Sequence, residues 1–381
     1  MKSRLPNVGT TIFTVMSALA TKHGAVNLGQ GFPDFDPDPL LLDAVSSAMR
    51  GGFNQYAPLN GATALRQAVS DKIHASYGRR YDPETEVMIA AGATQAVFTA
   101  LMALTTAGDE VIVIEPAFDS YLPGIELAGA VPVCVPTTPD YRVDWQRVEQ
   151  AVTSKTRLII VNSPHNPSGM ILRDADMRAL EAIVQKHGLF VISDEVYEHM
   201  VFDDEPHQSA SRYPALADRS VVISSFGKTF HVTGWKVGSV AAPAPIMAEF
   251  RKVHQFNVFV VNHPMQVGLA SYMADPLRYQ QLPDFYQRKR DYFRAGLERT
   301  PFNLYPCEGT FFQMVSYASI ASLVDKTELE VCQWLTTEAG VAAIPLSSFY
   351  QQPVENKTIR FCFAKKEATL ELALQRLSKL G

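Results

Sequence analysis

Short apolar, β-branched runs alternate with longer helical patterns over about residues 86 to 243, and this alternation constrains the fold more than any other feature of the chain. Several runs are apolar almost throughout, as strands buried on both faces must be. Strand–helix alternation of this kind predicts an α/β fold with a mostly parallel sheet sandwiched by helices. The seven predicted strands are Glu86–Ala91, Glu110–Glu115, Val131–Val135, Arg157–Asn162, Leu189–Asp194, Ser220–Ser225 and Val237–Ala242.

Three segments between these runs have the period and the length of helices, namely Thr94–Ala107, Trp145–Ser154 and Asp174–His187. Gly108 and Gly188 follow two of them directly. A glycine at that place is typical of a helix C-cap, so both glycines are predicted to end their helices.

The last third of the chain has a different pattern. A charged helix is predicted over residues 284–299, and mixed segments with proline and glycine turn signals follow it. We therefore expect a large domain over residues 34–275 and a smaller α+β domain over residues 276–381. Residues 1–33 are expected to form an N-terminal arm and part of the small domain.

An apolar stretch near the N-terminus, Thr11 to Ala20, follows two basic residues and resembles a signal peptide. Its apolar positions have the spacing of one helical face, which favours a docked amphipathic helix instead. Those positions are Ile12, Phe13, Met16, Leu19 and Ala20. Nothing in the chain approaches the ~18 consecutive apolar residues of a membrane span, so no membrane partner is expected.

The charge and the cysteines exclude other classes of function. A net charge of -5 without a long run of Lys and Arg argues against nucleic acid as a partner. The four cysteines lie far apart in a spacing that fits no zinc site, so no metal is expected. Small apolar cysteines are typical of a reducing compartment, and a cytoplasmic location is expected.

Unusual polar residues cluster at the carboxyl ends of the predicted strands, where open α/β sheets bind their ligands. Gly92 opens a helix at Ala93 and Thr94, which offers free N–H groups to a phosphate. Asn166 lies in a stiff loop between two prolines, and Asp194 ends an apolar strand, where a desolvated acid needs a partner. Each feature also has an ordinary explanation, as a plain turn or a helix N-cap.

Lys228 lies in Ser225-Phe226-Gly227-Lys228-Thr229, after the sixth run. A phosphate-binding P-loop would need a glycine at position 222, where this chain has Val222, so the nucleotide interpretation fails. Lys228 is then either a solvated surface charge or a Schiff-base lysine. The second role requires its pKa to fall from ~10.4.

These motifs follow one another along the chain, each at the end of a predicted strand. In this order they resemble the motifs of the fold-type I pyridoxal 5′-phosphate (PLP) enzymes, specifically the class I and II aminotransferases. The resemblance covers nearly the whole chain. It is closest to the kynurenine and methionine aminotransferase subgroup, through Gly29-Gln30-Gly31-Phe32-Pro33-Asp34-Phe35 and Thr229-Phe230-His231-Val232-Thr233-Gly234-Trp235.

That resemblance implies ping-pong transamination between an L-amino acid and a 2-oxo acid, with methionine favoured ahead of aromatic amino acids or kynurenine. It also implies a homodimer with shared active sites.

Roles for individual residues follow from the same resemblance. Lys228 would hold PLP as a Schiff base and move the substrate Cα proton. Asp194 would pair with the pyridinium nitrogen, Tyr197 and Asn166 would hydrogen-bond the ring oxygen, and Phe118 would stack on the ring.

The cofactor phosphate would be held by the backbone at Ala93 and Thr94, by Ser225 and by Lys236. Tyr56, in Asn54-Gln55-Tyr56, would reach the phosphate of the neighbouring subunit. Lys236 stands where the family usually has an arginine, so the charge is kept but the two-pronged donor geometry is lost.

Arg360 would bind the substrate carboxylate bidentately, beside Asn166, and the backbone at Gly31 would close over the substrate. One recognisable carboxylate-binding arginine suits neutral side chains. Candidates for the pocket wall are Ile12, Phe13, Phe32 and Tyr121.

Two other functions remain open on sequence grounds. A C–S β-lyase on the same fold shares the lysine, aspartate and tyrosine, so the cofactor site does not exclude it. A regulator that uses a PLP domain as a sensor would carry a basic winged-helix module first, and the roughly 30 residues before Gly31 are too few for one.

Overall fold

The structure, a computed structural model, describes residues 2–6, 8–352 and 354–380. Its strands in chain order are β1 Val26–Asn27, β2 Val87–Ala90, β3 Glu110–Glu115, β4 Val131–Pro136, β5 Thr156–Asn162, β6 Phe190–Asp194, β7 Ser220–Ser225, β8 Gly238–Ala241, β9 Asn303–Leu304, β10 Phe312–Ser316, β11 Val341–Ala342, β12 Ile344–Pro345 and β13 Thr358–Cys362.

Helices α1 to α15 follow the same chain order. They are Ile12–His23, Pro39–Arg50, Thr63–Tyr77, Ala93–Leu104, Tyr121–Leu127, Trp145–Gln150, Asp174–His187, Pro214–Ala217, Phe226–Thr229, Ala244–Asn257, His263–Met273, Leu277–Gln280, Leu282–Leu297, Glu328–Trp334 and Glu367–Leu377. Short 3₁₀ turns cover Ala210–Arg212, Thr233–Trp235 and Leu346–Phe349, and a π-helical turn covers Leu335–Ala339.

The largest sheet in the described part of the chain has seven strands in the order β2-β8-β7-β6-β5-β3-β4. All seven lie where the sequence predicts them, to within one residue at each end. Only β8 is antiparallel to its neighbours, β2 and β7. The connection that precedes it, residues 226–237, holds the four-residue helix α9 and the short 3₁₀ turn Thr233–Trp235, and no full crossover helix. The predicted α/β class with a mostly parallel, helix-covered sheet is confirmed.

The apolar strands are buried because helices cover both faces of this sheet. Ile160 of β5 belongs to the apolar core on the side of α4 and α10, whereas its neighbour Ile159 belongs to the core on the side of α7. Successive side chains of a strand point to opposite faces, so a strand covered on both sides must be apolar at every position.

One of the two predicted helix ends is wrong. Gly188 does end α7, in the left-handed conformation with a φ of 68°. Helix α4, however, ends at Leu104, and its C-cap is the extended residue Thr105. The Thr105 hydroxyl donates to the Leu101 carbonyl at 2.7 Å and satisfies the helix end earlier than expected. Gly108 lies in the turn beyond, with a φ of 91°.

Helix α6 also ends early, at Gln150 rather than at residue 154, and the predicted charged helix is α13, Leu282–Leu297. The C-terminal third contains the antiparallel sheet β12-β13-β10-β9. β1 pairs in parallel with β11, and α1 buries Met16 and Ala20, so the N-terminal segment packs on C-terminal elements. The domain boundaries at residues 33 and 275 stay a prediction. No described helix has the length and apolar character needed to cross a membrane.

Candidate active site

A cavity of about 370 Å³ opens at the carboxyl ends of β5, β6 and β7. The parallel register places Asn162 beside Asp194, and Asp194 beside Ile223 of β7. The predicted site residues that line the cavity are Gly31, Ala93, Thr94, Phe118, Asn166, Asp194, Tyr197, Ser225, Lys228, Lys236 and Arg360. The structure therefore brings together residues that are spread over 330 positions of the chain.

Tyr56 is the predicted site residue that does not line the cavity. Its side chain is 77% exposed, and its ring packs edge-on against Phe259 at 5.2 Å. Of the four candidate wall residues, Phe13 and Phe32 line the cavity, whereas Ile12 and Tyr121 do not. Ile12 packs on the hydrophobic core, because it lies on the face of α1 that docks.

Lys228 lies in the short helix α9, whose N-cap is Ser225. The Lys228 Nζ atom donates to the Gly31 carbonyl at 2.9 Å, and the rings of Tyr197 and Phe311 lie 5.6 and 5.3 Å away. Burial among these groups lowers the pKa of Lys228 to about 8. A lysine with such a pKa is partly unprotonated near neutral pH, and can therefore act as a nucleophile or a base.

Asp194 ends β6 and is almost fully buried. Its Oδ2 atom accepts a 2.5 Å hydrogen bond from the Tyr121 hydroxyl, and its Oδ1 atom accepts one from the Val196 N–H at 3.3 Å. Burial raises the pKa of Asp194 to about 6, and the hydrogen bonds oppose that rise. The side chain is therefore mostly a carboxylate at pH 7 and can pair with a protonated ring nitrogen.

One end of the cavity is suited to an anion. Gly92, with a φ of 81°, precedes α4, whose N–H groups at Ala93 and Thr94 have no acceptor within the helix. A Cβ atom at Gly92 would lie 3.2 Å from the Lys236 Nζ atom, so the glycine leaves room for that ammonium. The Ser225 hydroxyl adds a further donor to this end of the cavity.

The other polar end is built around Arg360 of β13, whose side chain is 1% exposed. Its Nη1 atom donates to Asn166 Oδ1 at 2.6 Å and its Nη2 atom to the Gly29 carbonyl at 3.2 Å. The guanidinium stacks on the Phe312 ring at 3.8 Å. Burial lowers the pKa of Arg360 to about 10, which still leaves it cationic at pH 7.

The Nε atom of Arg360 is buried and has no hydrogen-bond acceptor among the described residues. A buried cation with an unsatisfied donor is costly unless an anion accepts the hydrogen bond from that donor. This end of the cavity is therefore suited to a carboxylate.

Three residues of the site were missed or assigned another role from the sequence. Asn162 accepts from the Asn166 N–H at 2.8 Å and donates to the Asp194 carbonyl at 2.9 Å, so it ties two strand ends together. Its place at a strand end is a signal that could have identified it. Tyr121 was predicted to line the pocket, but its hydroxyl instead donates a hydrogen bond to Asp194. Phe312 lies in an apolar run, and nothing in the sequence distinguishes it as a site residue.

These residues fit the three reactive features of PLP. The phosphate matches the anion site at Ala93 and Lys236, the ring nitrogen matches Asp194, and the aldehyde matches the Lys228 amine. The Arg360 Nε atom, which has no acceptor among the described residues, matches none of these PLP features and can bind the substrate carboxylate.

Comparisons with known proteins agree with this chemistry. The family model described as "Aminotransferase class I and II" matches residues 23–377. The methionine aminotransferase of Escherichia coli (strain K12) is 49% identical over 381 residues, which cover 100% of this chain and 98% of that one. The kynurenine–oxoglutarate transaminase of Dictyostelium discoideum is 35% identical, over 98% of this chain and 94% of its own.

Solved structures give the same result. The crystal structure of YbdL from Escherichia coli, reported to identify a methionine aminotransferase function, has a TM-score of 0.97 at 48% identity, over 100% of this chain and 99% of its own. N-succinyldiaminopimelate aminotransferase from Mycobacterium tuberculosis has a TM-score of 0.95 at 40% identity, over 100% of both chains. This chain belongs to the class I and II aminotransferases, enzymes of fold type I that use pyridoxal 5′-phosphate.

Proposed function

We propose that this aminotransferase acts by a ping-pong mechanism on neutral L-amino acids, with methionine favoured ahead of aromatic amino acids or kynurenine. The observation that carries the substrate class is the surroundings of Arg360. Arg360 is the one guanidinium among the described residues that line the cavity, and the rings of Phe13 and Phe312 lie against it, at 5.5 and 3.8 Å.

In this proposal Arg360 binds the α-carboxylate through its unpaired Nε atom and orients the substrate, while Asn166 holds the guanidinium in place. Lys228 would take the proton from the substrate Cα atom and pass it to the C4′ atom of the cofactor in the first half-reaction, and would carry a proton from C4′ to Cα in the second. A positioned base of this kind contributes roughly 10²–10⁴-fold to the rate. PLP, when bound, supplies the electron sink that makes the Cα proton removable, and the Asp194 carboxylate keeps the ring nitrogen protonated.

The aromatic lining of the cavity favours a substrate with a neutral, apolar side chain. Four phenylalanines line it, Phe13, Phe32, Phe118 and Phe312. A thioether sulfur gains about 0.3–1.5 kcal/mol from contact with an aromatic ring, which suits methionine. The name of the 49% identical relative supports the same substrate. A substrate with a distal carboxylate, as the name of the Mycobacterium relative implies, would need a second cation near the side chain.

The proposal includes a homodimer in which Tyr56 completes the phosphate site of the partner. Exposed aromatic side chains support it, since a soluble monomer rarely leaves such groups clustered. Tyr56 packs against Phe259, and Phe53 packs against His263, on neighbouring segments. The four free cysteines suit the cytoplasmic location that we also propose. Sedimentation of the purified protein tests the dimer, and a monomer at micromolar concentration would exclude it.

The test of the reaction is a two-step absorbance experiment on purified protein loaded with PLP. Adding L-methionine without an oxo acid should remove the visible band of the bound cofactor, and adding a 2-oxo acid should restore it. A band that stays unchanged with methionine, aromatic amino acids and kynurenine would contradict the substrate proposal. Release of pyruvate and ammonia from cystathionine would show β-lyase chemistry instead.

A further inference from the structure

Strands β6 and β7, which lead to Tyr197 and Lys228, separate at Asp194, within the cofactor site. β6 and β7 are paired up to Asp194 and Ile223, and the Glu195 N–H still donates to the Ile223 carbonyl at 2.8 Å. Beyond that point the segment after β6 turns through Tyr197, and the segment after β7 continues to Lys228. Tyr197 and Lys228 therefore lie on segments beyond the last pairing of β6 with β7.

Glu198 lies in the gap between these segments. Its carboxylate accepts hydrogen bonds from the hydroxyl of Ser224, near the end of β7, and from the ammonium of Lys72 in α3. The hydroxyl of Tyr77, the last residue of α3, donates to the other carboxylate oxygen at 2.6 Å. One side chain thus connects the turn after β6, the end of β7 and helix α3.

The Glu198 carboxylate is charged although it is buried. Burial acts to raise the pKa of Glu198, but the charge of the Lys72 ammonium and the hydrogen bonds from Lys72 and Ser224 together hold that pKa below its ordinary value. His199 lies 3.8 Å from the carboxylate, and burial lowers its pKa to about 4, so it is neutral at pH 7. Buried ion pairs give little net stability compared with apolar packing, and their best-attested role is to specify one arrangement of the chain.

We propose that Glu198 is a positioning residue for the transamination reaction. Through Ser224 it holds the end of β7, and with it the Lys228 segment, against the turn that carries Tyr197. Glu198 does not line the cavity, so it acts through these neighbours and touches neither cofactor nor substrate. This inference rests on the proposed cofactor site.

The test compares two substitutions that each remove one hydrogen bond to the same carboxylate. Ser224→Ala breaks the connection to β7, whereas Tyr77→Phe removes a donor from α3 and leaves that connection intact. Ser224→Ala should weaken PLP binding and lower kcat, each by roughly tenfold, as expected for losing one hydrogen bond to a charged group. It should also shift the pH midpoint of the cofactor's visible absorbance. Tyr77→Phe should change none of these three readouts.

Two further variants make the result decisive. Ser224→Thr keeps the hydroxyl and should restore the wild-type readouts, and Glu198→Gln, which weakens all three bonds, should reproduce the Ser224→Ala defect. If Ser224→Ala and Tyr77→Phe lower the melting temperature alike and both keep wild-type PLP affinity, kcat and absorbance midpoint, the role of Glu198 is purely structural and the proposal fails. A wild-type protein that binds no PLP would overturn the proposed function itself, which the variants do not test.

Discussion

The Tyr121 hydroxyl donates a 2.5 Å hydrogen bond to the Oδ2 atom of Asp194, across 73 positions of the chain. Tyr121 begins α5, on the side of the sheet covered by α4, and its ring packs edge-on against Phe118 at 5.7 Å. The bond fixes the plane of the carboxylate and also lowers its pKa, against the effect of burial.

Replacing Tyr121 by Phe should make cofactor binding more sensitive to acid. Burial raises the pKa of Asp194 from 3.8 to about 6, so the apoenzyme loses the carboxylate charge as the pH falls through about 6. Without the Tyr121 donor that pKa rises further, and PLP affinity should decline at a higher pH than in the wild type. Titrations of the apoenzyme with PLP between pH 5 and 8 measure this, with Tyr213→Phe as a remote control. Superimposable curves for Tyr121→Phe and wild type would contradict the assignment.

Replacing Lys228 by Ala should abolish turnover and the cofactor's visible band. The loss should be at least ~10³-fold, because the substitution removes both the covalent attachment and the positioned base. Lys252→Ala is a matched control, since Lys252 is exposed and forms a surface ion pair with Glu249. An active Lys228→Ala variant would exclude the mechanism.

Replacing Lys236 by Ala should raise the dissociation constant for PLP by roughly tenfold or more, because a cation beside the phosphate is lost. Lys236→Arg should bind PLP at least as well as wild type, since a guanidinium can donate two hydrogen bonds to a phosphate. Equilibrium dialysis of each variant measures both effects. Wild-type affinity in Lys236→Ala would remove Lys236 from the site.

Replacing Arg360 by Lys should raise KM for the amino acid much more than it lowers kcat. Lysine keeps the charge but loses the fork that binds a carboxylate, and the expected change is roughly 10- to 100-fold in KM. Steady-state kinetics with L-methionine test this, with Arg299→Lys as an exposed control. A KM that stays at the wild-type value would show that the substrate carboxylate binds elsewhere.

Replacing Gly268 by Ala should destabilise the fold without touching the site. A Cβ atom there would lie 2.4 Å from Val45 Cγ2 and 2.9 Å from Val45 Cα, so α11 and α2 would have to separate. Such overpacking costs about 1–3 kcal/mol in the free energy of unfolding. Urea denaturation measures it, and Gly9→Ala, whose Cβ meets open space, should change stability by less than about 0.5 kcal/mol. Equal stability of the two variants would contradict the close helix contact.

The sequence by itself determined the seven strands and the polar residues at their ends. Stretches such as 158–161 and 221–223 are apolar because helices cover both faces of the sheet, and the sequence pattern shows that burial directly. Lys228 and Asp194 stood out because a charged residue at the end of a buried strand needs a partner. Helix ends were harder to predict, since the Thr105 hydroxyl ended α4 before Gly108 could.

Only the tertiary structure decided which distant residues meet. Arg360 donates to Asn166 across 194 positions, and Tyr121 reaches Asp194 across 73. The antiparallel direction of β8 likewise depends on how its short connection packs. Periodicity tells which face of a segment is buried, but hydrophobic burial is not directional and does not name the partner. The contacts that shape the site exist only once the seven-stranded sheet, which carries Asp194, and the four-stranded sheet, which carries Arg360, have packed together.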